Sequence, residues 1–309
     1  MKYPIYLSLL SMSLLLFTAC GGSDDDDNGG GSSNANANTN RNISVTQPEI
    51  SRLEFPKVKG DNNSFVVIHK VNNSPDPDGV NYSIEWDKSL KAQRWTCYQM
   101  INKKWGGNAG RYPEFIEDPD IPSAYRLDIE DRYSYYYSGS GFQRGHIIPS
   151  ADRQYSVSAN KQTFYYSNIH PQYGAFNSRL NNNSEYSPWF RLEGKVREWA
   201  DLRSTDTLYV CKGGTIDSEE NILMRIKNQL IVPKYFFVAC LAKNKTGYAA
   251  IGFYIKHDNN DHGSDPLSDY AMSIDQLEQK TGIDFFCNLP DNEEKKVESS
   301  YSLNVWGIQ

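Results

Sequence analysis

Residues 141–153 read Gly-Phe-Gln-Arg-Gly-His-Ile-Ile-Pro-Ser-Ala-Asp-Arg, and no other stretch narrows the fold of this chain as much. Arg144, Gly145 and His146 are consecutive, and His146 is one of only five histidines. Gly145 has no Cβ, so the backbone there can turn tightly or let a ligand approach. Arg144 offers a planar fork of donors suited to phosphate. His146 is the side-chain type whose unperturbed pKa lies near neutrality. A phosphate clamp beside a general base reads as phosphodiester chemistry. The same three residues alone would equally fit a turn with a structural histidine and a surface arginine, so the weight falls on what lies downstream.

Downstream, Asn168-Ile169-His170-Pro171-Gln172 is followed by Asn177, six residues after the proline. Then comes Trp189-Phe190-Arg191-Leu192-Glu193, with Arg197 four residues beyond Glu193. Trp189, Leu192, Val196 and Trp199 recur at helical spacing and predict a helix from Trp189 to about Leu202, with Pro188 in its first turn. On such a helix Glu193 and Arg197 share a face. Taken singly, they read as a surface pair and Asn177 as a turn residue.

The ordered set QRGHIIPSADR, TFYYSNIHPQ, Asn177 and WFRLE resembles the DNA/RNA non-specific endonuclease family, the ββα-metal nucleases. The resemblance continues through TLYVCKGG, VPKYFF, AAIGFYI and SIDQLEQKTGIDFF and covers roughly residues 60–290. It implies an α+β fold: a central, mostly antiparallel β-sheet with packed helices and a ββα-metal finger. It implies a Mg²⁺-dependent enzyme (Mn²⁺ being an alternative ion) that hydrolyses DNA and RNA without sugar or sequence specificity and leaves 5′-phosphates. His146 would be the general base, Asn177 the metal ligand, and Glu193 the holder of a metal-bound water. Arg144 and Arg197 would bind the phosphate. The chain departs from the family pattern twice. Gln143 stands where the motif has Asp, keeping hydrogen-bonding capacity but dropping a charge. The stretch 178–188 lengthens the path from Asn177 to Trp189 and brings Asn181, Asn182 and Asn183 in as competing ligand candidates.

Around these motifs the chain reads as one mixed domain over residues 49–309. Ser64–His69, Tyr82–Trp86, Arg94–Met100, Lys161–Asn168, Thr207–Cys211, Gln229–Leu241 and Tyr248–Ile255 are expected strands. Residues 101–140 read as long surface loops, the kind of segment that builds sites on a rigid sheet. Ser273–Thr281 is an expected helix, with Ser273 as its N-cap and Gly282 as its stop. His69 is expected at a strand end, His170 in a loop or the core, and His257 and His262 in a solvated loop. Cys97, Cys211, Cys240 and Cys287 allow three complete disulfide pairings, and no CxxC or CxxH spacing suggests zinc.

Lys2, the apolar run Ile5–Phe17 and Thr18-Ala19-Cys20 form a signal peptide that ends like a lipobox, so residues 1–20 are expected to be a lipoprotein leader with Cys20 lipidated. The alternative is cleavage near Ala19 and secretion. Residues 21–48 are rich in Gly, Ser, Asn and Asp and are expected to be a disordered tether. The expected location is the cell envelope, membrane-anchored through Cys20, at the outer membrane and its surface. Net charge is −6, of which −4 lies beyond residue 46. That acidic balance is not the usual footprint of a nucleic-acid binder, and it requires basic residues to cluster locally or a metal to offset the charge. The alternative function is a catalytically degenerate nucleic-acid- or glycan-binding surface lipoprotein. A Ser-His-Asp hydrolase is disfavoured, because the chain has no G-x-S-x-G elbow.

Overall fold

The computed structural model describes residues 37–127, 132–202 and 205–308. Eleven strands are assigned: β1 Ser64–Lys70, β2 Val80–Asp87, β3 Ala92–Ile101, β4 Phe142–His146, β5 Ile169–Tyr173, β6 Thr207–Gly214, β7 Ile222–Ile226, β8 Leu230–Pro233, β9 Tyr235–Asn244, β10 Gly247–Lys256 and β11 Ala271–Met272. The helices are α1 Val157–Gln162, α2 Gly174–Asn177, α3 Pro188–Asp201, α4 Ile274–Thr281 and α5 Asp291–Glu298. Seven strands form one antiparallel sheet in the order β1-β2-β3-β6-β9-β10-β11. Strands β4 and β5 pair separately, as do β7 and β8.

Alternation along the central strands explains why the sheet is covered on both faces. Leu208 and Val210 of β6, with Val238 and Cys240 of β9, join the cluster that takes in Trp189, Leu192, Val196 and Trp199 of α3. Their neighbours Tyr209, Cys211, Phe237, Ala239 and Leu241 face the other way, against Ile274 and Leu277 of α4 and Val297 of α5. Successive strand side chains point to opposite faces, so a strand apolar at every position needs a layer on each side. Leu192 and Val196 are each 1% exposed, and burying each side chain contributes roughly 1.5–3 kcal/mol.

Both longer predicted helices form with the expected punctuation. Ser187 caps α3 by accepting from the Phe190 amide, and Pro188 occupies its first turn. Ser273 and Gln276 make a capping box on α4, and Gly282 ends it in the left-handed region at φ 69°. Among the described residues, no helix is long and apolar enough to cross a membrane.

Several expectations need correction. Lys161–Asn168 is not a strand: Ser156 caps the short helix α1, and a 3₁₀ turn follows at Tyr166–Asn168. The aromatic run Phe164-Tyr165-Tyr166 has β propensity, but local bonds override it. Asn168 donates to Ile148 O and Thr163 O and accepts from Ile148 N, which fixes the turn. The expected strand Gln229–Leu241 is two, β8 and β9, divided at Lys234. His257 is not in a solvated loop. It is 1% exposed, with Nδ1 on Pro233 O and Nε2 accepting from the Tyr173 amide.

Within residues 37–48, expected to be tether, several asparagines tie the chain to the domain, while Ile43 and Val45 stay exposed. Asn42 is 4% exposed and donates to Ile50 O and Pro56 O, and Asn40 bonds both Asp284 and Glu294. A polar composition reads as linker, yet here each amide finds a partner. The leader, Cys20 and the remainder of the expected tether lie outside the described residues. Cys97, Cys211, Cys240 and Cys287 are buried free thiols.

Candidate active site

The stretch Gly141–Arg153 forms β4, a short exit, and a 3₁₀ turn at Ser150–Arg153. Strand β5 pairs with β4 so that Gly145 faces His170 and His146 faces Ile169. Helix α3 follows, completing a ββα finger. Gly145 is needed for close approach, but of a side chain rather than a ligand. A Cβ there would overlap the side-chain amide of Gln172, which is fully buried.

His146, Arg144, Asn177, Glu193 and Arg197, drawn from three separate segments, line one cleft. The His146 ring is wedged between Phe115 and Phe164, at 5.3 and 4.9 Å between centroids, and its Nε2 is buried without a hydrogen-bond partner. Burial first, then the Arg111 and Arg144 guanidiniums, hold its pKa down to about 3, so the ring is neutral at pH 7. Arg144 lies over the Phe115 ring at 3.9 Å and the Tyr133 ring at 4.5 Å, which fixes its fork without a carboxylate.

Asn177 ends α2. Its Nδ2 donates to Gln143 Oε1 at 2.8 Å, and its Oδ1 accepts no hydrogen bond among the described residues. The lengthened 178–188 stretch does not displace it. Ser187 N bonds Ser178 O at 2.7 Å and Ser187 Oγ bonds Phe176 O at 2.6 Å, so the extra residues loop outward from a closed base. Asn181, Asn182 and Asn183 are exposed on that loop and do not line the cleft.

Glu193 has a side chain 14% exposed, and Lys212 Nζ lies 3.9 Å from its Oε1. Burial raises its pKa to about 7, which Lys212 partly opposes. Arg197 does not pair with Glu193, despite the helical spacing. Its Nη1 reaches Asp152 Oδ1 at 2.9 Å, and Asp152 is fully buried.

Three contributors were not among the sequence candidates. Arg111 lines the cleft from the 101–140 loops, bonded to Ser150 Oγ at 2.7 Å and stacked on Phe164 at 4.7 Å. Asp152 aligns Arg197, and the buried Lys212 faces Glu193. Asp152 and Lys212 lie inside quoted motifs, whereas Arg111 carries no local signal. Among the described residues Arg111 and Arg144 have no ion-pair partner, and burial, then the Arg144 charge, lowers the Arg111 pKa. The cleft therefore gathers unneutralised positive charge on an acidic chain.

The residues fit a hard divalent cation. Asn177 Oδ1 and the Glu193 carboxylate, held only at 3.9 Å by Lys212, are oxygen donors that such an ion prefers. A separate group, His69, Asp118 and Asp120, also brings ligand atoms together. None of these three lines the cleft. His69 Nε2 is committed to Asp118 Oδ2 at 2.9 Å, and Ser167 donates to the same carboxylate, so the pair braces the loop that carries Phe115.

A family model described as DNA/RNA non-specific endonuclease matches residues 64–292. Over 242 residues the chain is 29% identical to the mitochondrial nuclease EXOG of Mus musculus, covering 74% of this chain and 62% of that protein. It therefore spans less than two thirds of the mouse relative. It is 29% identical over 218 residues to nuclease C1 of Cunninghamella echinulata var. echinulata, covering 68% of this chain and 81% of that protein. The crystal structure of the EndoG/EndoGI complex superposes with a TM-score of 0.54 at 19% identity, over 67% of this chain and 84% of that one, a likeness of fold. The family match spans most of the chain and contains the whole ββα finger, so the chain belongs to the DNA/RNA non-specific endonuclease family.

Proposed function

We propose that this chain is a divalent-metal-dependent endonuclease that hydrolyses phosphodiester bonds in DNA and RNA and leaves 5′-phosphates. The observation that carries this reading is a neutral imidazole set beside two arginines that have no carboxylate partner among the described residues, in a cleft that also offers the oxygens of Asn177 and Glu193. A backbone phosphate supplies the anion the arginines lack. Every nucleotide has that phosphate, and the proposed roles use no 2′-hydroxyl, so both sugars are accepted.

In this mechanism Arg144 and Arg111 seat the scissile phosphate, and Arg197, aligned by Asp152, takes up charge that develops on its oxygens. His146, neutral and held by its aromatic neighbours, accepts the proton of the attacking water. Bound phosphate offsets the two guanidiniums that depress the imidazole, which makes it a stronger base once substrate is in place. Mg²⁺, held by Asn177 Oδ1 and through water by Glu193, would stabilise transition-state charge and the departing 3′ oxygen. Gln143 holds the Asn177 amide so that Oδ1 stays available.

We further propose that the protein is anchored to the outer membrane through lipidated Cys20. Replacing Cys20 with Ser would then move it from the membrane to the soluble fraction, and unchanged membrane retention would refute the anchor.

The test of activity is digestion of plasmid DNA and of RNA by the full chain, with Mg²⁺ and with EDTA. Products are assayed for direct ligation, which requires 5′-phosphate ends. Cleavage of both substrates in Mg²⁺ and none in EDTA is expected. Retention of nucleic acid with no cleavage would instead support the binding lipoprotein.

A further inference from the structure

On the face of the sheet opposite α3, helices α4 and α5 bring Asp275, Glu278 and Glu298 together, with one ligand atom from each lying within 4.8 Å of the others. Oxygen ligands of a calcium ion stand about 2.3–2.6 Å from it, and three atoms within 4.8 Å of one another are close enough to share one such ion after a small side-chain adjustment. Asp275 and Glu278 are three apart on α4, which puts both on one face of the helix. Glu298 comes from the last turn of α5.

Crowded carboxylates alone would not make a site. Glu298 is the second observation: it is 6% exposed, and its Oε1 is buried with no hydrogen-bond partner. Among the described residues none of the three carboxylates has an ion-pair partner. Lys57, whose charge acts on the adjoining Asp284 and Glu294, is bonded to the Asn40 and Arg41 carbonyls. One Glu278 oxygen accepts the Phe285 amide at 2.8 Å, leaving its second oxygen available. Asp275 is exposed, giving the site a mouth through which water can complete the coordination.

We propose that Asp275, Glu278 and Glu298 bind one calcium ion that clips α5 to α4. Three carboxylates and no neutral donor suit a hard, charge-hungry cation. Calcium accepts irregular oxygen shells of six to eight ligands, whereas magnesium demands a regular octahedron and keeps its waters. Without the ion, burial and the neighbouring carboxylates push Glu298 up to about 10 and Glu278 to about 8, so calcium entry at pH 7 displaces protons. The ion would also steady the 37–42 segment, since Asn40 bonds Asp284 and Glu294 beside the site.

The test is calcium titration of the full chain by calorimetry and thermal melting, in wild type and in N177A, E298Q and D275N. One calcium is expected to bind this site, and binding should survive N177A, which removes the cleft ligand. At 100 times its Kd, calcium should raise Tm by roughly 5–10 °C. Glu298→Gln should keep the wild-type Tm in EDTA and lose the calcium response. Asp275→Asn, at an exposed position that cannot compromise the core, should weaken binding at least tenfold. A calcium-induced rise undiminished in both variants would overturn the proposal. So would no rise in N177A at 10 mM calcium, or an equal rise in N177A with magnesium at the same concentration.

Discussion

Asn177 gives its side-chain amide to Gln143 Oε1 at 2.8 Å, across the gap between the end of α2 and strand β4. Gln143 is the residue that departs from the family motif, and its neutral oxygen serves as the acceptor. The partner that orients a ligand tunes metal affinity nearly as much as the ligand itself. Gln143→Ala should raise the Mg²⁺ concentration for half-maximal cleavage by about 10–100-fold, with activity recovered at high Mg²⁺. Mg²⁺ titration of the initial rate measures this, and an unchanged half-saturation point would show that Asn177 is held by other means.

His146 should remain a competent base at unusually low pH. Burial, Arg111 and Arg144 favour its neutral form, which persists until pH falls to about 3 in the free enzyme. The acid limb of kcat/KM reports free-enzyme groups. His146 should therefore contribute no limb near pH 6.5. A limb near pH 7 would belong to Glu193, whose pKa burial raises to about 7 and which must ionise to hold a metal-bound water. Glu193→Gln should abolish that limb together with most of the activity, whereas Arg111→Ala, which removes a charge that lowers the Glu193 pKa, should keep the limb and move it to higher pH.

Arg144→Lys should fail as a conservative change. The guanidinium stacks between Phe115 and Tyr133, and an ammonium has no planar face to stack. A fall of at least about tenfold in kcat/KM is expected, since about 1.4 kcal/mol of transition-state stabilisation corresponds to that factor. Steady-state kinetics on a defined oligonucleotide would show it, and wild-type rates would remove Arg144 from the site.

Gly145→Ala should destabilise the finger. Its Cβ would overlap the buried amide of Gln172, and such overpacking costs about 1–3 kcal/mol. Urea unfolding followed by fluorescence measures the loss. A change below about 0.5 kcal/mol would mean that Gln172 moves aside freely.

Much of the scaffold was legible because its signals are local. The Trp189, Leu192, Val196 and Trp199 spacing located α3, and Ser273 and Gly282 bounded α4 within a residue. Five motif residues from separate segments proved to line one cleft. What escaped depends on partners distant in sequence. Arg197 turns to Asp152, 45 positions away, rather than to its helical neighbour. Arg111 sits in a loop with no motif, and only the fold brings it beside Arg144. His257 reads as loop until Tyr173 and Pro233 close around it. Asn42 reads as linker until its bonds to Ile50, Pro56 and Asn288 are seen.

The most direct measurement is single-turnover cleavage of a labelled duplex by wild type and by His146→Ala, each with saturating Mg²⁺ and with EDTA. General-base assistance contributes about 10²–10⁴-fold. Loss of rate in that range for the variant, with duplex binding retained, and no cleavage by either protein in EDTA is the result expected. Wild-type rates from His146→Ala, or cleavage that persists in EDTA, would contradict an imidazole-assisted, metal-dependent hydrolysis in this cleft.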